Sequence, residues 1–199
     1  MLLIVGISTA YFLNQYIKNQ IILGLEKEFP SSALSYDEIS VNVLAGNSSI
    51  SNLLLNKNGV HLAVSRVKIR DFSYNTYLRT GNFDIGRLEL IEPDIIINKG
   101  DTIQGSRDPE KKNEKNLFLK KIIVKGGSLK VIENDSAVND LFVSIKKIEL
   151  EKVLFGKKNN ETLLPFEYSS YQFESDSLYY NLNTWNAVTI QKIQLKKRS

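Results

Sequence analysis

The residues with the most obvious capacity for chemistry are one histidine and a group of carboxylates between residues 70 and 95. A pair of carboxylates can perform glycoside hydrolysis when their separation is fixed. Nothing in the spacing here orders such a pair, and His61 stands alone on a segment of alternating polarity, which is typical of a surface strand. The carboxylates considered are Asp71, Asp84, Glu89, Glu92 and Asp94.

The composition excludes several classes of site. The 199 residues include no Cys and one His. Disulfides, Cys-ligated zinc, iron–sulfur clusters, thiol nucleophiles and multi-His metal sites are therefore excluded. The sequence also lacks a nucleophile elbow, a phosphate-binding loop and a dinucleotide fingerprint. We expect no enzymatic activity, no cofactor and no metal.

The basic residues are scattered, although the formal net charge is +4. Dispersed lysines that flank strands are typical of solvated sheet edges, whereas a nucleic-acid interface requires a clustered basic face. We therefore expect no nucleic-acid partner. Attraction to anionic lipid headgroups stays open, at about 1 kcal/mol per residue. The basic runs are Lys111-Lys112, Lys120-Lys121, Lys146-Lys147, Lys157-Lys158 and Lys196 to Arg198.

The first 29 residues predict a transmembrane or amphipathic anchor helix. Residues 2–13 carry no charge but span only about 18 Å of a hydrocarbon core of about 30 Å. Apolar residues then recur at helical spacing up to Pro30, and Tyr11, Phe12 and Tyr16 suit a membrane interface. A cleaved signal peptide and a buried core helix remain alternatives. Because no basic flank precedes the apolar run, we expect the natural chain to begin upstream.

Residues 30–199 form the second predicted unit, in which the apolar period changes from 3.6 to 2. About eleven strands at hairpin-length spacing argue against a parallel α/β fold, which needs a helix between strands. Gly126-Gly127 predicts a hairpin turn, Pro93 a strand break, and the polar segment 100–116 a loop. The alternation slips by one residue near Ser65, which predicts a bulge or a bend there. A second slip follows Ile145, and the last strand has an extra residue near Gln191.

The predicted fold class is mainly β: an N-terminal helix followed by a twisted, curved antiparallel meander that forms an open, groove-like sheet. A closed sandwich is the alternative. The chain ends directly after a predicted strand, and an uncovered edge would template pairing. We therefore expect more sheet downstream and interpret residues 30–199 as a domain truncated at its C-terminus.

Three phrases behind the N-terminal helix resemble the AsmA-like family in a form typical of Bacteroidetes. The first, at residues 36–55, reads YDEISVNVLAGNSSISNLLL and resembles that family's opening hairpin. The others, at residues 85–101 and 119–135, read IGRLELIEPDIIINKGD and LKKIIVKGGSLKVIEND. They are similar to the family's recurring strand repeats.

This resemblance implies a location and a role. AsmA-like proteins are anchored in the bacterial inner membrane by a single pass and project a β domain into the periplasm. They are implicated in outer-membrane biogenesis and phospholipid transport. By resemblance, the expected function is non-catalytic lipid handling, with membrane lipids and unidentified envelope proteins as partners. The alternative is a tethered β-sandwich binding or adhesion module that acts through protein or glycan contacts.

A curved sheet with an apolar concave face would shelter acyl chains, since each methylene kept from water contributes about 0.8 kcal/mol. The alternative is that the same residues fill the core of a closed sandwich. The candidate lining residues are Val41, Val43, Leu62, Val64, Ile95, Ile97, Ile122, Val124, Leu141, Val143, Ile145, Tyr171, Phe173 and Leu178.

Overall fold

The computed structural model of the chain describes residues 2–29, 32–73, 76, 79, 83–99, 117–133, 140–155, 166–182 and 185–197. The predicted loop at 100–116 lies outside the described residues. The elements are α1 (Leu2–Glu28), β1 (Leu34–Ser35), β2 (Glu38–Asn42), β3 (Asn47–Lys57), β4 (Val60–Phe72), β5 (Phe83–Asn98), β6 (Leu117–Lys125), β7 (Ser128–Ile132), β8 (Leu141–Phe155), β9 (Phe166–Glu167), β10 (Ser170–Asn181) and β11 (Ala187–Lys197).

All the described strands belong to one sheet. Its order is β1-β3-β4-β5-β6-β8-β10-β11, with β2 beside β3, β7 between β5 and β8, and β9 beside β8. The path is open, because β1 and β2 lie at one end and β11 at the other. The mainly β fold is confirmed. The described strands do not form the two facing sheets that a closed sandwich would require.

The sheet is mixed, so the prediction of a wholly antiparallel meander is wrong. Strand β5 runs parallel to β6, with Phe83 opposite Leu117, and parallel to β7, with Asp94 opposite Ser128. Strands β6 and β7 are both antiparallel to β8. Parallel neighbours require a long crossover, and the chain between β5 and β6 is long enough to supply one.

The predicted hairpin at Gly126-Gly127 is also wrong. Strands β6 and β7 follow one another in the same direction, and both run parallel to β5. Gly127 has φ +102°, and a Cβ there would lie 2.1 Å from the carbonyl oxygen of Pro93. The glycine is thus required by a close approach between strands. Pro93 does not break β5, which continues through it. On the side of β6 and β7 the pairing is interrupted there, since it ends at Ile91 and resumes at Asp94.

Along two rows that cross the sheet, the residue-by-residue pairing between neighbouring strands is interrupted. We call these rows the lower seam and the upper seam. The lower seam contains Gly46, Asp71, Gly86, Lys120 and Lys152, and the upper seam contains Asn52, Ser65, Glu92, Gly126 and Lys146. Across β3 to β8 the seams lie six residues apart, which is about 20 Å along a strand. Left-handed backbone recurs in both, with φ values of 49° at Glu92 and 55° at Asp71.

Each seam shifts the in–out alternation by one residue. At the upper seam Val64 and Val67 are both buried, while Ser65 and Arg66 between them are exposed. The bend predicted near Ser65 is therefore confirmed. On β10 the register shifts on either side of Ser175. The seams keep apolar side chains on one face where strict alternation would have moved them to the other.

Helix α1 lies at the edge of the sheet and packs against β2. The side-chain oxygen of Asn14 accepts a hydrogen bond of 2.8 Å from the backbone N–H of Val43. The Nζ atom of Lys57 lies 4.9 Å from the ring centre of Phe29. The prediction of a helix within residues 1–29 is confirmed.

Within the described ranges, no helix combines the length and the apolar character needed to cross a bilayer.

Candidate functional site

One face of the sheet is apolar along its whole width. Directly opposed residues of neighbouring strands project to the same side, so the strand register assigns each side chain to a face. One row above the upper seam runs through seven strands. Its members, from β3 to β11, are Leu55, Leu62, Ile95, Leu129, Val143, Leu178 and Ile190.

The same side remains apolar between and below the seams. We call it the apolar face. Between the seams one row comprises Val67, Leu90, Val124, Ile148, Phe173 and Leu195. Below the lower seam a further row comprises Phe72, Ile85, Leu119 and Val153. The seams thus join three apolar zones into one continuous surface.

Two clusters on the apolar face are packed by neighbouring strands. Ile85, Leu119 and Val153 form the lower cluster, and Val124, Val143 and Ile145 form the upper one. Many residues around these clusters are only half-buried, and towards β11 the cover decreases further. Ile190 is 48% exposed and Leu195 is 53% exposed. This part of the apolar face is accessible to an apolar ligand.

The structure places the predicted lining residues on the apolar face, with the exception of Val43. That residue lies in the turn after β2, where its backbone N–H binds Asn14. Those that are buried are Val64, Val124, Val143 and Ile145. Those that are half-buried are Val41, Leu62, Ile95, Ile97, Ile122, Leu141, Tyr171, Phe173 and Leu178.

Sequence reasoning missed several members of the same face. Leu88 and Leu90 alternate ahead of Pro93, and Ile148 and Leu150 alternate after the slip in β8. The period-2 signal was present for all four. Phe166 follows a segment without a clear period, so only its packing against Phe155, at 5.1 Å between ring centres, reveals its place.

An aromatic cleft of about 220 Å³ opens on the apolar face beside β9 and β10. Tyr168 packs edge-on against Tyr171, with ring centres 5.9 Å apart and planes at 80°. Rings in this arrangement offer large apolar surfaces at little cost in side-chain entropy. The cleft is lined by Ile148, Leu150, Phe166, Tyr168, Tyr171, Gln172 and Phe173.

The opposite side of the sheet between the seams is ionic, and we call it the charged face. Glu89 at its centre is only 2% exposed. Its carboxylate lies 3.5 Å from Arg87, 3.4 Å from Lys125 and 4.0 Å from Arg70. Burial raises the pKa of Glu89, but these cations outweigh burial and hold the pKa below its ordinary value of 4.5.

A second ionic group on the charged face centres on Lys121. Its ammonium binds Glu149 and also lies 3.3 Å from Glu151. The hydrogen bond to Glu149 is the main cause that raises the pKa of Lys121. Lys121 and Lys147 together lower the pKa of Glu149. Ion pairs therefore connect neighbouring strands on this side of the sheet, whereas the apolar face lies on the other side.

Three of the other chemically capable residues, His61, Glu92 and Asp94, have hydrogen-bond partners. His61 is exposed, and its Nδ1 lies 2.5 Å from the side-chain oxygen of Asn56. The carboxylate of Glu92 accepts a 3.2 Å hydrogen bond from Ser65, and Asp94 accepts one from Ser128. Across the described part of the chain, no three His, Cys, Asp or Glu residues converge on a metal-sized site.

Compared with models of known protein families and with curated proteins, the chain matches none.

Proposed function

We propose that this protein is a non-catalytic, membrane-associated envelope protein of AsmA-like type that holds the acyl chains of membrane lipids on its apolar face. The observation that supports the proposal is a continuous apolar surface on a single open sheet. Its outer part, on β10 and β11, leaves large aliphatic side chains half-exposed or exposed.

The energetics favour acyl chains as the ligand. The free energy of transferring a chain of about 16 methylenes from an apolar environment into water is unfavourable by about 13 kcal/mol, at about 0.8 kcal/mol per methylene. A surface that keeps even half of the chain dry removes a large part of this cost. The two seams are about 20 Å apart, which is also the length scale of an extended lipid tail.

The place of action that we propose is the inner membrane, with the β domain on the periplasmic side. Support comes from α1, where Tyr11, Phe12 and Tyr16 are largely exposed. Aromatic side chains of this kind prefer the membrane–water interface. The helix packs on β2, so its contact with lipid would bring that edge of the sheet to the membrane surface.

A second candidate function is binding of glycans or proteins. One observation favours it: Phe142 and Tyr179 are opposite each other on β8 and β10 and point away from the apolar face. Both are exposed. Aromatic pairs of this kind can stack on sugars. A protein acting only in this way would carry no lipid.

The test is to purify the full chain from bacterial membranes without detergent and to count bound phospholipid by native mass spectrometry. We expect about one or more lipids per chain. In an Ile190→Asp/Leu195→Asp variant, two charges enter the exposed part of the apolar face. We expect its bound lipid to fall several-fold, because a charge there requires desolvation when an acyl chain covers it.

The matched control is Thr189→Asp/Gln191→Asp, which adds the same charge to the same strand on the opposite face. All four positions are exposed, so both variants should fold, and circular dichroism verifies this. Equal lipid loss in both variants, or a folded parent without lipid, contradicts the proposal. A lipid-free parent that binds glycans would favour the second candidate.

A further inference from the structure

We propose a second binding site: a cationic cleft on the charged face that takes a phosphate-type oxyanion. The cleft has a volume of about 290 Å³ and lies where β2, β3 and β4 run side by side. It is separate from the apolar face and does not depend on acyl-chain binding. Its lining residues are Ser40, Asn42, Asn47, Ser48, Ser49, Arg66, Lys68, Ile69 and Arg70.

The strand register brings the polar groups together. Ser40 is opposite Ser49, and Ser49 is opposite Lys68 on the next strand. Arg66 and Arg70 lie two residues on either side of Lys68, so all three side chains leave β4 on the same side, and each arginine is about 7 Å from Lys68 along the strand. Three cations therefore flank a row of hydroxyl and amide groups.

The charges in the cleft are not balanced from within. No carboxylate is among its lining residues. Arg70 shares Glu89, at 4.0 Å, with Arg87 and Lys125. Within the described ranges, Arg66 and Lys68 have no ion-pair partner. Lys68 is directly opposite Glu89 on β5, but that carboxylate is already shared by Arg70, Arg87 and Lys125. The cleft therefore keeps a net positive charge that attracts an incoming anion.

The chemistry of the cleft suits phosphate. Guanidinium groups bind phosphate oxygens through paired, charge-assisted hydrogen bonds, and an ammonium adds a compact charge. The hydroxyls of Ser40 and Ser49 and the amides of Asn42 and Asn47 supply further donors. The source of the phosphate is either a lipid headgroup or a soluble phosphate compound. Strand β2, which contributes to the cleft, also packs against α1. If α1 contacts a membrane, a lipid headgroup can therefore reach the cleft.

The experiment uses the isotope-labelled full chain and inorganic phosphate as the probe. Phosphate titration should produce saturable shifts of the backbone amide signals of Ser49 and Lys68 in nuclear magnetic resonance spectra. An Arg66→Gln/Lys68→Gln variant should bind phosphate at least about tenfold more weakly, since it loses two charge-assisted donors. The control, Lys120→Gln/Lys146→Gln, removes the same charge from two exposed lysines outside the cleft and should bind normally.

A second arm identifies the source by flotation with phosphatidylcholine vesicles, with or without phosphatidylglycerol. Phosphatidylglycerol-dependent flotation that is lost only in the cleft variant supports a lipid headgroup. Saturable phosphate binding without that dependence supports a soluble phosphate compound. The proposal is overturned if the parent shows no saturable binding, if the cleft variant binds like the parent, or if the control variant loses as much. None of these outcomes bears on lipid bound to the apolar face.

Discussion

At the scale of single residues, Glu89 shows how the charged face is held together. Its carboxylate is nearly inaccessible, while its partners Arg70, Arg87 and Lys125 remain about half-exposed. Long cationic side chains can cover a buried anion with their methylene stems while their charged ends stay in water. The arrangement satisfies the buried charge and covers the centre of a face that has no other layer in the described residues.

We predict that Glu89→Gln destabilises the fold by about 1–3 kcal/mol near neutral pH, because charged hydrogen bonds to a buried group are lost. The control Glu133→Gln disrupts the more exposed pair with Lys99 and should cost less than about 1 kcal/mol. Urea denaturation measures both free energies of unfolding. Equal, small effects of the two substitutions would show that Glu89 contributes no more than a surface ion pair.

The lowered pKa of Glu89 also predicts a pH dependence. A carboxyl whose pKa is lower in the folded protein stabilises the fold above its ordinary pKa of 4.5, and this contribution is lost as pH falls through the folded value. The parent should therefore lose stability below about pH 4.5. Glu89→Gln should show a shallower decline, with the remainder due to Glu149 and Glu151, whose pKa values are also lowered. Identical pH profiles would contradict this assignment.

At the scale of strands, the seams explain which predictions from the sequence succeeded. Alternation identified the apolar face of β4, β8 and β11, and the one-residue slips near Ser65, after Ile145 and near Gln191 lie at or beside the upper seam. The direction of β7 could not be predicted from the sequence. A Gly-Gly pair is equally compatible with a turn and with a close approach between neighbouring strands. Only the position of Pro93 opposite Gly127 distinguishes these two cases.

The close approach at the upper seam gives the first prediction at the scale of strands. Gly127→Ala should destabilise the fold by about 2–4 kcal/mol, because the added Cβ meets the Pro93 backbone and the positive φ disfavours alanine. Gly24→Ala is the control, since nothing lies within 4 Å of a Cβ added there, and it should stabilise α1 by up to about 1 kcal/mol. Thermal unfolding measures both. A neutral Gly127→Ala would be inconsistent with a seam as tight as described.

Helix α1 gives a second prediction at this scale. Replacing Tyr11, Phe12 and Tyr16 with serine should weaken vesicle binding about tenfold or more, because exposed aromatic area would no longer enter the interface. The control replaces Gln15 and Asn19, which are also exposed, with serine. Flotation with phosphatidylcholine vesicles compares the two. Unchanged binding of the aromatic variant would remove the support that α1 lends to a membrane location.

At the scale of the whole molecule, the sequence predicted a mainly β chain with one apolar face, but it could not decide between an open and a closed sheet. The alternation of apolar and polar residues indicates which side chains share a face of the sheet. It does not indicate what covers that face. The parallel placement of β6 beside β5 was also beyond its reach, since it depends on the crossover between them. The same limits apply to the site: the lining residues were largely predictable, whereas the cleft around Phe166 was not.

The most direct test of the central claim is to locate a bound acyl chain on the protein. The full chain is incubated with a phospholipid that carries a diazirine in its acyl chain, irradiated, digested and mapped by mass spectrometry. The account predicts adducts on apolar-face residues such as Leu178, Ile190 and Leu195, and few on their neighbours Tyr179, Gln191 and Gln194, which point to the other side. Adducts divided equally between the two faces, or confined to α1, would contradict it.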